Sequence, residues 1–167
     1  DSDLGGAGFR LTLPGTHRPA LIATRARAAR HDLEERMSSG ERDVVRVLIV
    51  EDEEKPRAHQ ERMLALDGFE VMSAEDVESA LPALDRQQPD AVLLDLNLGE
   101  QDGAQLLEAI RDVERAPPVI VTTAYSSHER RDQVLELGAV AYLVKPVPRE
   151  KLLDSIWSAV DEVDRAR

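Results

Sequence analysis

Ala91-Val92-Leu93-Leu94-Asp95-Leu96-Asn97-Leu98-Gly99 is the stretch whose reading decides the fold. It is entered from Gln88-Pro89-Asp90 and left through Gly99-Glu100-Gln101-Asp102-Gly103. So short an apolar run, bounded in that way, reads as a buried strand emptying into a polar loop. Its last strand position is a carboxylate. A charge there is costly to bury without a partner, so Asp95 is expected at the rim of a sheet, beside a cation or in chemical use.

Working outward, the same pattern recurs on both sides. Val44 to Val50 reads as a strand ending in Glu51-Asp52-Glu53-Glu54, followed by a helix that tolerates Pro56 in its first turn. Met63, Leu64 and Leu66 give that helix an apolar side up to Asp67-Gly68. Phe69 to Ser73 is a second strand. Glu75 or Asp76 begins a second helix with Val77, Ala80, Leu81 and Leu84 inward and Pro82 distorting it. Beyond Asp95, a third helix starts near Gly103 and buries Leu106, Leu107 and Ile110. Val119-Ile120-Val121-Thr122-Thr123 is strand four, and Ser126 or Ser127 caps a fourth helix. Val140 to Val144 is strand five, Lys145-Pro146 follows it, and residues 149–163 form a fifth helix with Leu152, Leu153, Ile156, Trp157 and Val160 inward.

Five short, nearly all-apolar strands alternating with five helices call for an α/β fold, a parallel sheet covered on both faces. Right-handed crossovers then place a crevice at the carboxyl ends of the strands, where the strand order reverses. Every polar candidate lies at such an end: Glu51 and Asp52 after strand one, Asp95 on strand three, Thr123 on strand four and Lys145 after strand five. In the order 2-1-3-4-5, strands one and three are neighbours, and Asp52 and Asp95 come within reach of one cation. Carboxylates that close resist joint ionisation unless a cation compensates, and their hard oxygens suit Mg²⁺ or Mn²⁺. A carboxylate nucleophile, a divalent metal, a lysine and a hydroxyl are what accepting and holding a phosphoryl group requires.

At 167 residues the chain accommodates one well-buried domain and an appendage. Residues 1–45 carry seven acids and seven arginines, so the rest holds the whole formal charge of −12. An acidic body of this kind repels phosphates, so direct nucleic acid binding is not expected; a well-solvated surface accounts for the charge. With no cysteine, no secretory leader pattern and no apolar stretch of membrane-spanning length, the expected location is cytoplasmic, with no membrane contact by this segment. The first residue, Asp rather than Met, points to a piece excised from a longer polypeptide.

Residues 1–15, with Gly5-Gly6-Ala7-Gly8 and Phe9-Arg10-Leu11-Thr12-Leu13-Pro14, read as a glycine turn feeding one alternating strand. The run resembles the closing strand of the ATP-binding domain of histidine kinases; a lone terminal strand is the alternative. Residues 16–43 read as a linker helix whose narrow stripe is Ile22, Ala26, Ala29, Leu33 and Met37, with Arg25, Arg27 and Arg30 on a solvated face. So thin a stripe suits a signalling helix that packs on a partner, in the same molecule or in a second copy of the chain. His17, His31, His59 and His128 have no ligand-spaced partners and read as surface residues.

Four segments carry a more specific resemblance. Val-Leu-Ile-Val-Glu-Asp-Glu at 47–53, Leu-Leu-Asp-Leu-Asn-Leu at 93–98, Val-Thr-Thr-Ala at 121–124 and Tyr-Leu-Val-Lys-Pro at 142–146 resemble, in order and spacing, the signatures of the receiver domain of bacterial two-component response regulators. The resemblance covers residues 45–163 and assigns 44–167 to that domain. It implies a flavodoxin-like, doubly wound (βα)5 fold with Asp95 as phosphoacceptor from phosphohistidine. Asp52 and Asp95 would be metal ligands, Glu51 would act on Mg²⁺ (or Mn²⁺) through water, and Asn97 would lend its backbone carbonyl. Thr123 would be the switch hydroxyl, Lys145 the partner of a phosphoryl oxygen, Tyr142 the switch aromatic and Pro146 the residue after a cis bond. Assigning the hydroxyl to Thr123 rather than Thr122 rests on motif alignment alone.

Phosphorylation would then shift the surface of helix four, strand five and helix five. The expected chemistry is self-catalysed phosphotransfer and autodephosphorylation, not that of a stand-alone enzyme. The partners implied are a histidine kinase or histidine phosphotransfer protein, an upstream kinase domain in cis if the chain ends a hybrid histidine kinase, and a homodimer. No DNA-binding module follows Arg167, so output is expected through protein contacts or through what precedes Asp1. Two positions depart from the pattern: Gly99 stands where proline is usual, and Glu51 replaces the commoner Asp. The main alternative is a pseudo-receiver, a phosphorylation-independent interaction module, disfavoured because the acidic, hydroxyl and lysine set is complete. A flavodoxin-like nucleotide binder lacks a phosphate loop after strand one, and a phosphohydrolase lacks an acid at Asn97.

Overall fold

The computed structural model describes residues 44–166. The strand expected at 1–15 and the linker helix expected at 16–43 lie outside the described residues. Five strands, β1 (Arg46–Val50), β2 (Glu70–Ala74), β3 (Ala91–Asp95), β4 (Val119–Thr123) and β5 (Ala141–Val144), alternate with five helices. These are α1 (Glu54–Leu66), α2 (Val77–Gln87), α3 (Ala104–Ile110), α4 (His128–Glu136) and α5 (Arg149–Ala166). The sheet is parallel throughout, in the order β2-β1-β3-β4-β5. The alternation implied a parallel sheet covered on both faces, and the receiver-domain resemblance implied its doubly wound, flavodoxin-like (βα)5 form; the structure has both.

Side chains alternate across a strand, so each strand feeds two cores. Leu48 and Val50 of β1, Val92 and Leu94 of β3 and Val121 of β4 pack with Val77 and Ala80 of α2, Leu106, Leu107 and Ile110 of α3 and Val134 of α4. Val47, Ile49, Leu93 and Ile120 face the other way, onto Leu64 of α1 and Leu152, Leu153, Ile156 and Val160 of α5. Phe69, just before β2, meets Trp157 of α5 with ring centroids 4.7 Å apart. Helices on both faces leave the carboxyl edge of the sheet as the place where polar side chains from several strands can meet.

Local chemistry sets the boundaries. Asp76 caps α2, accepting from the Ser79 backbone N–H at 2.7 Å, and Ser127 caps α4 through Arg130 at 3.2 Å. Two helix positions differ from the sequence expectation. Leu66 is 80% exposed and Leu81 38% exposed. Leu66 is the last residue of α1, two places past the buried Leu64 and so about 200° further round the helix. Leu81 directly follows the buried Ala80, turned 100° from it. The expected α2 distortion is not a break, since α2 runs unbroken past Pro82.

Between β3 and α3 lies a small antiparallel hairpin that the sequence did not reveal, pairing Asn97 with Asp102 and Leu98 with Gln101. Gly99 opens its two-residue turn at φ +62°, a left-handed conformation. Proline, fixed near −65°, cannot occupy that position, which gives a physical reason for glycine there.

Candidate functional site

Three strand ends and one loop build the site. Glu51 follows β1, its backbone N–H held by the Ala74 carbonyl at 3.1 Å. Asp95 closes β3, whose neighbours are β1 and β4. Lys145 follows β5, its backbone N–H donated to the Thr123 carbonyl at 2.7 Å. The Lys145–Pro146 peptide bond is cis. These frames bring the Lys145 Nζ to 2.7 Å from Glu51 Oε2 and 2.6 Å from Asp95 Oδ2. Glu51 is 2% exposed and Asp95 6% exposed, so one ammonium serves two buried carboxylates.

The remaining acceptors are also occupied. Asp95 Oδ1 accepts from the Asn97 backbone N–H at 2.9 Å, and Glu51 Oε1 from the Glu53 N–H at 3.3 Å. Asp52 is half-buried. A Cβ built on Gly99 would lie 3.5 Å from Asp52 Oδ2, so this carboxylate reaches the loop after β3. A Cβ on Gly103 would collide with the backbone carbonyl of Asp95. Glycine therefore lets the start of α3 press against the strand end carrying Asp95.

Burial pushes the Glu51 carboxyl above its ordinary range; Lys145 opposes that push and the nearby Asp95 adds to it. For Lys145, desolvation pulls the ammonium down, but the hydrogen bonds and charges of Asp95 and Glu51 outweigh it and its pKa is raised. The cluster is short of positive charge. Mg²⁺ keeps several waters and is held by one or two carboxylates plus phosphate oxygens. Asp52, Asp95 and Glu51, with a single lysine among them, fit such a hard cation in donor chemistry and in charge.

Thr123 and Tyr142 share a face. Register pairs Val121 with Tyr142 and Thr123 with Val144. Period-two alternation puts Thr123 on the side of Val121 and Tyr142, whereas Thr122 lies on the side of Ile120 and is paired in register with Asp95. The Thr123 hydroxyl accepts from the Tyr125 backbone N–H at 3.2 Å, and the Tyr142 hydroxyl donates to the Tyr125 carbonyl at 2.8 Å. Tyr125, itself 70% exposed, thus links hydroxyl and ring through its backbone. His59 and His128 are exposed, in keeping with a surface reading.

Three contributors escaped sequence reasoning. Arg57 of α1 donates to the Glu51 and Asp52 carbonyls and pairs with Glu75. Asp102 accepts from the Ala104 N–H at 3.0 Å and pairs with Arg130 of α4. Gly103 supplies the close approach to Asp95. The sequence signal for Arg57 was an arginine one turn into the helix after an acidic strand end, which looks no different from a solvated one.

A parallel five-stranded sheet with an acid, acid and lysine cluster at its carboxyl edge defines the class of receiver domains used in two-component signalling. The family model described as "Response regulator receiver domain" matches residues 47–157, and the chain belongs to that family. Among curated proteins it is similar to "Transcriptional regulatory protein PrrA" of Mycobacterium tuberculosis, 44% identical over 101 residues, 60% of this chain and 43% of that protein. The chain thus spans less than half the length of this relative. Among solved structures, a CheY-like receiver domain protein from Methanospirillum hungatei JF-1 covers 75% of this chain and 100% of its own, at 29% identity and a TM-score of 0.70. A Burkholderia pseudomallei response regulator "with a phosphorylated aspartic acid, calcium ion and citrate" covers 73% and 72%, at 26% identity and a TM-score of 0.64.

Proposed function

We propose that the domain accepts a phosphoryl group from phosphohistidine onto Asp95. The observation that carries this reading is the position of Asp95, a buried carboxylate at a strand end held by Lys145 on one oxygen and the Asn97 N–H on the other. Burial with fixed donors orients the carboxylate for in-line attack and limits competing water. The attacking oxygen forms a bond to phosphorus as the bond from phosphorus to the histidine nitrogen breaks, and the imidazole leaves. Lys145, now on Asp95 Oδ2, is placed to transfer to a phosphoryl oxygen. Thr123 offers its hydroxyl to another by releasing the Tyr125 N–H.

Mg²⁺, with Mn²⁺ as the alternative, would be held by Asp52, Asp95 and the Asn97 carbonyl, with Glu51 acting through water, and would neutralise charge on the transferring group. The phosphorylated aspartic acid and calcium ion of the Burkholderia response regulator structure support the same chemistry in a domain of this fold. Movement of Thr123 loosens the Tyr125 backbone and with it the hydroxyl anchor of Tyr142. That couples the site to the surface of α4, β5 and α5.

We further propose that the receiver domain spans 44–167, that 16–43 is its linker, and that 1–15 closes a kinase domain of a cytoplasmic hybrid histidine kinase. Its partners are a histidine kinase or phosphotransfer protein, including a kinase domain in cis, and a second copy of the chain. Amide NMR tests the reading. Mg²⁺ alone should shift residues 51–53 and 95–97, and acetyl phosphate added next should shift 123–125 and 142–145. Acetyl phosphate that moves neither set in the presence of Mg²⁺ would overturn it.

A further inference from the structure

We propose that Arg57 is a positioning residue for the metal side of this site, an inference that rests on the Mg²⁺-dependent reading above. Glu51 and Asp52 lie between the end of β1 at Val50 and the start of α1 at Glu54. Their carbonyls therefore fall outside both the strand ladder and the helix. Among the described residues no backbone N–H outside those elements donates to either one. Four residues on from Asp52 stands Pro56, which has no N–H to give.

The Arg57 guanidinium takes the vacant role. Nη1 lies 2.9 Å from the Glu51 carbonyl and 3.3 Å from that of Asp52, and Nη2 lies 3.0 Å from Glu75 Oε1 at the end of β2. Its side chain is only 14% exposed. A planar fork anchored on one side by a carboxylate holds two consecutive carbonyls with the other. Fixing those carbonyls fixes the direction in which the Glu51 and Asp52 carboxylates leave the backbone. Arg57 touches neither the acceptor nor the reacting atoms, so it acts through the acidic pair. The shared carbonyls would keep Asp52 turned toward the loop at Gly99 and Glu51 turned toward Lys145.

Lysine cannot substitute, because a single ammonium point does not span three acceptors in a plane. The test measures Mg²⁺ binding by calorimetry, and the rate of phosphorylation by acetyl phosphate as a function of Mg²⁺, for the full chain and for Arg57→Ala, Arg57→Lys and Glu75→Ala. Arg57→Ala should raise the Mg²⁺ dissociation constant and the half-saturating Mg²⁺ by about 10-fold, the usual scale for losing a group that orients metal ligands. The rate at saturating Mg²⁺ should stay at the wild-type level. Arg57→Lys should fail to rescue.

Glu75 is exposed, so Glu75→Ala leaves the fold intact and should show a smaller rise in the same direction. Wild-type Mg²⁺ affinity in Arg57→Ala and Glu75→Ala, or a lower maximal rate at unchanged half-saturation, would overturn the proposal. A wild-type chain that binds no Mg²⁺ would instead overturn the reading of the site on which it rests.

Discussion

Replacing Lys145 with methionine keeps most of the aliphatic stem and removes the one cation shared by Glu51 and Asp95. Two hydrogen bonds, at 2.7 and 2.6 Å, disappear together. Bonds to charged groups are worth about 1.5–3 kcal/mol each, and breaking a buried pair costs about 3–5 kcal/mol. Lys145 is itself a quarter exposed, and its lost desolvation penalty offsets part of this, leaving a cost of about 3 kcal/mol near neutral pH. The deficit depends on pH in a defined direction. Glu51 has a raised pKa even with Lys145 opposing the shift, and without Lys145 the rise is larger.

A carboxyl whose folded pKa is raised contributes stability below its unfolded pKa and loses it as pH rises through the folded value. The deficit of Lys145→Met should therefore be greatest from neutral pH up to the raised pKa of Lys145, above which the wild-type protein loses the ammonium too, and should shrink on acidification. Mg²⁺ should also reduce it, by occupying the carboxylates the ammonium vacated. Urea denaturation of both proteins near neutral pH and at about pH 5, with and without Mg²⁺, measures all three effects. Equal stability near neutral pH, or a deficit that grows on acidification, would refute the reasoning.

Other perturbations address the scaffold. Gly103→Ala drives a Cβ into the Asp95 carbonyl and should cost about 3 kcal/mol in thermal or urea unfolding, slowing phosphorylation as Asp95 shifts. Gly99→Pro, which restores the residue common in this family, should cost at least about 1 kcal/mol because φ +62° excludes proline; hydrogen exchange at 97–102 would report the lost hairpin. Tyr142→Phe removes only the bond to the Tyr125 carbonyl and should cost about 1 kcal/mol, while NMR shifts at Tyr125 on phosphorylation should be altered.

Much of the fold was legible because strands buried on both faces are nearly continuous apolar runs, and each of these ended in a charge or hydroxyl. Glu51, Asp95, Thr123 and Lys145 could be grouped before any geometry, since parallel strands deliver their carboxyl ends to one edge. The errors fall where sequence separation hides direction. Leu66 and Leu81 are apolar neighbours of buried residues, and apolar character alone does not say which neighbour turns inward. Arg57 was illegible for a different reason. Two of its acceptors are backbone carbonyls and the third, Glu75, lies eighteen residues away, so no side-chain pattern encodes the contact. The hairpin at 97–102 was hidden too, because its strands are two residues long.

The central claim is that Asp95 takes the phosphoryl group. Intact mass of the chain and of Asp95→Asn after incubation with acetyl phosphate, with and without Mg²⁺, tests it most directly. The account predicts one phosphate adduct on the wild-type chain that requires Mg²⁺ and is absent from Asp95→Asn. An adduct retained in Asp95→Asn, or a folded, Mg²⁺-binding wild-type chain that gains none, would contradict it.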